Sequence, residues 1–445
     1  MGQKAKTQKG KAAGQYTEQQ VLNNSLKTFK EVCHKIAGPE TFKQLSPISV
    51  SRIISNRYPA LRMRATDQIQ IPPARTKHLN EIFKNMLNNE TCTSPRGETM
   101  SLSTFHREGL MLIHYLTLVE GENQTLGSAL REIQQNYHQH SEYYLKPIQD
   151  LIHILWKFSI IMTDWNERLF TYNINETCGM RGLDGNNEIL ISAEKPKAKT
   201  LKLESHPREL VQVGWTNFEG KITQLRIKPK WIGFREDPKS NDYCEVYIQK
   251  HALLRLQERI GLVPGLMHEA VYETLRKKEK TWHKRSDKRI VEYKIIDKKV
   301  GYLVCSFDEG VIIIRSFLFL TNTGTPEGNK LSELTSLEPM DKKYLKIDTL
   351  LGLAGYNIAH EPRLKELFTN AGCQDLLDLA DLTKFSKSSV HEQDTESLLK
   401  YLSPNLRDFY ENTAEERPLG LAEDVSISTI HAPVKHILSP YKQLI

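Results

Sequence analysis

Cys244-Glu-Val-Tyr-Ile248, followed by His251-Ala-Leu-Leu-Arg255-Leu-Gln-Glu-Arg259-Ile260, is the stretch on which the fold of this 445-residue chain turns. The first segment alternates polar and apolar side chains and predicts a strand. The second sets Ala252, Leu253, Leu256 and Ile260 at helical spacing. Gly261 stands where a left-handed helix-ending residue belongs, and Pro264 forbids continuation. A second helix is predicted over Leu266–Glu279. Three strands follow, Ile290–Ile296, Gly301–Ser306 and Val311–Leu320, with turns at Asp297-Lys-Lys299 and Asp308-Glu-Gly310. The last strand is almost wholly apolar, which predicts a central place in the sheet. Residues 242–335 thus read β-α-α-β-β-β.

Outward from this block the pattern changes twice. Residues 1–15 are rich in Lys, Gly, Ala and Gln, with no apolar period, and read as a flexible basic arm. Residues 16–165 are helical in pattern, as in Val21, Leu22, Leu26, Phe29 and Val32. Ser46 and Pro47 read as N-cap and first helical residue. The arginines Arg52, Arg57, Arg62 and Arg64 that follow suit either a helix-turn-helix or the surface of an ordinary bundle. Residues 166–241 alternate with a period of two and predict a β-rich region, including strands at Glu209–Trp215 and Trp231–Phe234. Residues 336–445 return to helical spacing. The fold class expected is α+β: an N-terminal helical domain, a central antiparallel β-rich region, the 242–335 block and an acidic, mainly helical C-terminal segment.

The net charge of +7 is unevenly spread. Residues 1–12 carry four lysines and no acid, residues 251–300 carry 13 basic and 7 acidic side chains, and residues 301–445 carry 14 basic and 21 acidic. A basic block of this kind argues for a polyanionic partner, and the acidic third behind it could restrain the block by mimicking one. No apolar run approaches the roughly 20 residues of a membrane span. The N-terminal residues lack an apolar signal core. The six cysteines are scattered with no Cys-x-x-Cys, which fits a reducing compartment and no disulfide or zinc framework. The expected location is cytoplasmic. His114, His138 and His140 have no carboxylate or Cys at ligand spacing, so no metal and no cofactor is expected. Phosphate-loop, nucleophile-elbow and zincin motifs are absent.

His251, Arg255 and Arg259 recur every four residues and cover about 80° of one helix face. An imidazole that shuttles protons near neutrality and two permanently charged guanidinia suit a phosphodiester. An exposed helix with Glu258 paired to the arginines would read the same way. The run Lys277, Lys278, Lys280, Trp282, His283, Lys284, together with Lys288, Arg289 and Lys330, offers cations and an aromatic for nucleic-acid contact. Arg285 lies within it. The loop Thr321-Asn-Thr323-Gly-Thr325-Pro-Glu327-Gly after the last strand gathers hydroxyls and a carboxylate, either as a site or as a capped strand-to-helix turn.

The strand, the His-Ala-x-x-Arg-x-x-Glu-Arg helix, the β-meander and the Thr-Gly-Thr-Pro-Glu-Gly loop resemble the RelE-like toxin fold of the barnase–EndoU–colicin–RelE ribonuclease group, for residues 242–335 only. The resemblance implies a metal-independent endoribonuclease that leaves a 2′,3′-cyclic phosphate. It implies His251 as general base or acid, Arg255, Arg259 and Arg285 stabilising phosphorane charge, and Thr323, Thr325 and Glu327 positioning the substrate. RNA is then the expected partner, DNA the second, with an antitoxin or regulatory protein and a role in growth control or phage defence as further expectations. Two other readings use the same residues: a non-catalytic nucleic-acid-binding protein, and a structural or assembly protein in which the basic stripe is internally ion-paired.

Overall fold

The computed structural model describes residues 18–55, 60–66, 71, 73–113, 131, 141–163, 168–177, 186–236, 239, 241–379, 383, 391–399 and 401–402. The basic arm, Arg57, His114, His138 and His140 lie outside them. The chain is a mixed α+β protein that divides into two compact units, residues 1–154 with 173–190, and residues 155–172 with 191–445.

In the first unit, helices Glu18–Ala37, Pro47–Ser55 and Pro73–Asn89 follow from the apolar spacing. Phe29, Val32, Ile36, Ile53, Phe105 and Leu112 close one core. Ser46 caps as expected, its Oγ accepting from Ser49 N at 3.0 Å. Of the arginine cluster, Arg52 lies on that helix. Arg62 and Arg64 fall on a strand, Arg62–Ala65, and both reach the buried Glu188 carboxylate, at 2.9 and 3.6 Å.

The second unit is built on an eight-stranded sheet. Its strands are β1 (Ala198–Leu203), β2 (His206–Gln212), β3 (Cys244–Gln249), β4 (Trp282–Arg285), β5 (Lys288–Ile295), β6 (Lys298–Asp308) and β7 (Val311–Phe319), with Arg226–Ile227 paired to the start of β3. The order is β4-β5-β6-β7-β3-β2-β1, antiparallel except at β3/β7. Helices α1 (Lys250–Ile260) and α2 (Pro264–Arg276) make the crossover between the parallel pair. Gly261 ends α1 at φ +70°, as the sequence predicts, whereas α2 starts at Pro264 and stops at Arg276, earlier at both ends than the expected Leu266–Glu279. α3 (Pro326–Thr335), α4 (Pro339–Tyr344), α5 (Leu350–Ala354), α6 (Pro362–Asn370) and α7 (Gln374–Asp378) follow.

Strand alternation sorts the side chains into two faces. Val246, Ile248, Ile312 and Ile314 join Ala252, Leu256 and Ile260 of α1 in the main core. Tyr247, Val311 and Ile313 point the other way and join Leu203 and Leu210 in a smaller cluster. Each buried Leu or Ile of α1 contributes about 1.5–3 kcal/mol, which fixes that helix on the first face. Two expectations change here. The division expected at 241/242 runs through one sheet, because β1 and β2 extend the strands of the 242–335 block. Trp231–Phe234 is not a strand. Pro229 starts a 3-10 turn, Pro229–Ile232, and Gly233 at φ +88° closes it.

Candidate nucleic-acid interface

Cross-strand partners share a face, so the register fixes what stands opposite α1 and α2. His283 pairs with Ile290, Ile290 with Val304, and Arg285 with Lys288. Tyr293 belongs to the helical face, where its Oη donates to Met267 O of α2 at 3.0 Å. Glu292 and its partner Tyr302 therefore lie on the opposite face. The same face carries His283, Arg285, Lys288, Tyr247 and Gln249. At its middle, the Glu204 carboxylate accepts from Lys288 Nζ at 3.2 Å and Arg315 Nη2 at 2.8 Å. The Lys288 hydrogen bond first, then the Arg315 charge, hold Glu204 below the usual carboxylate range. The Gln249 amide donates to Arg315 O and accepts from Arg315 Nε.

Part of the predicted set meets at this face. The Arg285 guanidinium packs over Gly324, where a Cβ would lie 3.0 Å from its Nη2. The His283 ring lies edge-on to Tyr302, centroids 5.8 Å apart. Tyr302 Oη donates to Glu327, which also accepts from Lys299 Nζ at 2.6 Å. Burial, with Glu327 beside it, raises the Tyr302 phenol well above its ordinary range. Glu327 is itself buried, so its carboxylate is spent inside the fold. Thr325 is the N-cap of α3. Its Oγ1 accepts from Gly328 N at 2.9 Å and donates to Leu320 O at 2.7 Å, leaving no exposed hydroxyl. Thr323 stays exposed, with Lys342 Nζ 3.4 Å from its Oγ1, and Lys330 is exposed on α3.

The α1 stripe is elsewhere. His251 is exposed in the first turn of α1, on the helix that covers the other face. Arg255 pairs with Glu258 at 3.0 Å along the same helix. Arg259 is largely buried and held by the Asp348 carboxylate and carbonyl. Burial, then the neighbouring Arg255 charge, lower its pKa. Asp348 follows Ile347, whose carbonyl takes Thr321 Oγ1, so Arg259 braces the root of the Thr321–Glu327 loop.

The basic run falls into a cleft of about 570 Å³ lined by Lys230, Trp231, Arg235, Asn241, Lys278, Glu279, Lys280 and Trp282. Four cations face one carboxylate there. Gly233 lets the Trp282 ring lie on its backbone, since a Cβ would sit 2.6 Å from Cε3. Arg289, expected on the binding surface, is buried instead. Its Nε donates to Gly233 O at 3.1 Å and its Cζ lies 4.8 Å from the Phe234 ring, so it braces the wall of the cleft. Lys280 Nζ donates to Leu275 O and sits 5.7 Å over Trp231, and burial lowers its pKa to about 8. Trp231 packs edge-on to the exposed Tyr243, over which Lys228 sits at 4.9 Å. Lys277 pairs with Asp297 at 3.6 Å, while Lys284 is exposed on β4.

Sequence reasoning found one wall of this cleft and missed the other. Lys228-Pro-Lys230-Trp231 through Arg235 is a second basic-aromatic run, and the contacts of Gly233 with Arg289 and the Trp282 ring bring it to the first. Among the described residues no group of three or more His, Cys, Asp and Glu could hold a metal, and no helix is long and apolar enough to cross a membrane. The chain matches no protein family, no curated protein and no solved structure.

Proposed function

We propose that this chain binds single-stranded nucleic acid, with RNA as the expected partner, in the cleft between Trp231 and Trp282 and along β4. The observation that carries this is the enclosure of two tryptophans by Lys230, Arg235, Lys278 and Lys280 with Glu279 as the one acid. Guanidinium and ammonium groups neutralise phosphates whatever the sequence, and indole faces stack bases at about 1–3 kcal/mol each. His283, Lys284 and Arg285 continue the exposed basic surface from the cleft along an edge strand. The test is fluorescence anisotropy of a labelled single-stranded 12-mer. Trp231→Ala is expected to weaken binding by about tenfold, in line with the loss of one stacked base. Equal affinity for wild type and Trp231→Ala would overturn the proposal.

A catalytic reading, the RelE-like endoribonuclease, is favoured by one arrangement: exposed His283 edge-on to Tyr302, with Arg285 over Gly324. In that chemistry a base takes the 2′-OH proton, the 2′-oxygen attacks phosphorus, and the 5′-oxygen leaves with a proton. The product carries a 2′,3′-cyclic phosphate. Incubating labelled RNA with wild type, His283→Ala and His251→Ala decides it. Cleavage lost in one histidine variant assigns the base. Intact RNA with all three leaves binding alone.

A further inference from the structure

A second, larger cavity of about 950 Å³ lies against α2, within the size range of small-molecule sites. Its floor is rigid. The α2 backbone at Gly265 touches the Ile160 carbonyl so closely that no side chain fits between them. Its walls include the rings of Trp156, Trp215, Phe218 and Tyr272. One polar side chain of this wall stands without a partner. The Glu269 carboxyl, on the cavity-facing side of α2, makes neither a hydrogen bond nor an ion pair among the described residues. An accessible carboxylate with both oxygens unclaimed is open to a ligand that presents two donors.

The charges around Glu269 cancel in pairs. Arg276 binds Glu273 at 2.7 Å and Lys277 binds Asp297 at 3.6 Å. On β5, Lys294 lies 3.6 Å from Glu292. Lys157 from the helix Ser141–Met162, with Glu279 and Lys280 from the loop after α2, complete the rim. The cavity therefore offers flat apolar walls, a carboxylate with two acceptor oxygens, and lysines at its rim.

We propose that this cavity binds a guanine nucleotide. Guanine's N1–H and N2–H would meet the Glu269 carboxylate, and its phosphate Lys280 at the rim. Guanine is the base that presents two adjacent donors beside an acceptor. Adenine's corresponding edge offers one donor and one acceptor and would leave a carboxylate oxygen facing a lone pair. Stacking on the aromatic walls adds affinity for any base, so the discrimination lies in the carboxylate. The inference does not rest on RNA binding at the Trp231–Trp282 cleft.

Burial first, then the nearby Glu273, raise the free Glu269 carboxyl to about 7. Two-donor recognition requires the ionised form, so guanine preference rises with pH through that value. The experiment is calorimetric titration of the full chain with GMP and with AMP at pH 6, 7 and 8. The two nucleotides carry the same phosphate, so its titration, and that of Lys280, cancel in their affinity ratio. The expected result is a GMP preference that grows about tenfold from pH 6 to pH 8. Glu269→Gln should hold the ratio near one at every pH, with single-stranded RNA binding by anisotropy unchanged. Absence of GMP binding, AMP bound as well as GMP at pH 8, or a GMP preference kept in Glu269→Gln would each overturn the proposal.

Discussion

The cleft makes a quantitative demand on salt dependence. Lys230, Arg235 and Lys278 are exposed, line the same cleft, and their side chains make no hydrogen bond or ion pair with described residues. Their charges repel one another and do no work inside the fold. Replacing all three (Lys230→Gln, Arg235→Gln, Lys278→Gln) should therefore leave the melting temperature unchanged or raise it slightly. Binding should respond very differently. Each phosphate neutralised on a single strand contributes about −0.7 to the slope of log K against log salt. Three lost contacts reduce the slope by about 2, which at 0.1 M salt is on the order of a 100-fold loss of affinity, or roughly 3 kcal/mol. The assay is anisotropy of a labelled single-stranded RNA from 0.05 to 0.3 M KCl. A control triple with the same loss of charge outside the cleft (Lys202→Gln, Lys346→Gln, Lys365→Gln) should change the slope by less than half as much. Equal slopes for the two triples, or a cleft triple within threefold of wild type, would refute the assignment of phosphates to this cleft.

Three further expectations concern the scaffold. Asp348→Ala strands the buried Arg259 charge and should cost about 2–4 kcal/mol by urea unfolding, with Arg259→Met added to it recovering most of the loss. Gly233→Ala combines a φ of +88° with a Cβ driven into Trp282, so a loss of about 2–3 kcal/mol and a shifted tryptophan emission spectrum are expected. The neighbours His268 and Glu269 set opposite pH dependences. Burial lowers His268 to about 3, so the unfolded chain takes up its proton first and stability is lost as pH falls from 6.5 towards 3. Glu269 is raised from 4.5 to about 7, so the fold holds its proton longer and stability is lost as pH rises through that window. Glu269→Gln should thus match wild type near pH 4 and exceed it by up to about 3 kcal/mol at pH 8, measured as the difference between urea midpoints.

What was legible in the sequence follows from burial. The apolar run of β7 announced a central strand, and β7 lies between β6 and β3. Gly261 marked the end of α1 and Pro264 a break after it, because left-handed φ and a missing N–H are local properties, while the start of α2 was read two residues late. β4 was unreadable. Trp-His-Lys-Arg has one face on the core only at Trp282 and pairs with a single neighbour, and edge strands carry lysine for that reason. β1, at the other edge, was passed over on the same grounds. Trp231–Phe234 has strand composition, yet Pro229 and Gly233 impose a turn. The Lys278–Trp282 side of the cleft was visible as a charge run. Its opposite wall needed the packing of Gly233 on Arg289 and Trp282, a long-range contact that no local pattern encodes. Thr325, Glu327 and Arg289 have the composition of a site, but capping, a buried hydrogen-bond network and a braced glycine use them up.

The uneven charge of the chain acquires a physical meaning from these contacts. Among the described residues, several acids after position 300 are paired with the basic block. They neutralise one side of it. Lys298 is taken by Asp378 at 2.6 Å, the Lys299 amide by Asp375 at 2.8 Å and its ammonium by Glu327, and Arg259 by Asp348. Within the described residues, none of these acids lines the Trp231–Trp282 cleft, whose four cations face Glu279 alone. Internal pairing at the β5–β6 turn and the C-terminal end of α1 thus leaves the field concentrated at β4 and the cleft, where low-dielectric tryptophan walls strengthen it. Restraint of the basic block has a local source as well. Glu204, from the β1–β2 turn, already occupies Lys288 and Arg315 on the opposite face. A phosphate that reached those two cations would have to displace an exposed carboxylate on a hairpin tip, and such a surface pair is weak enough to yield. Among the described residues there are thus a cationic cleft lined by one acid and a cationic pair lightly covered by Glu204, and under the proposed function they differ in what must move before a polyanion binds.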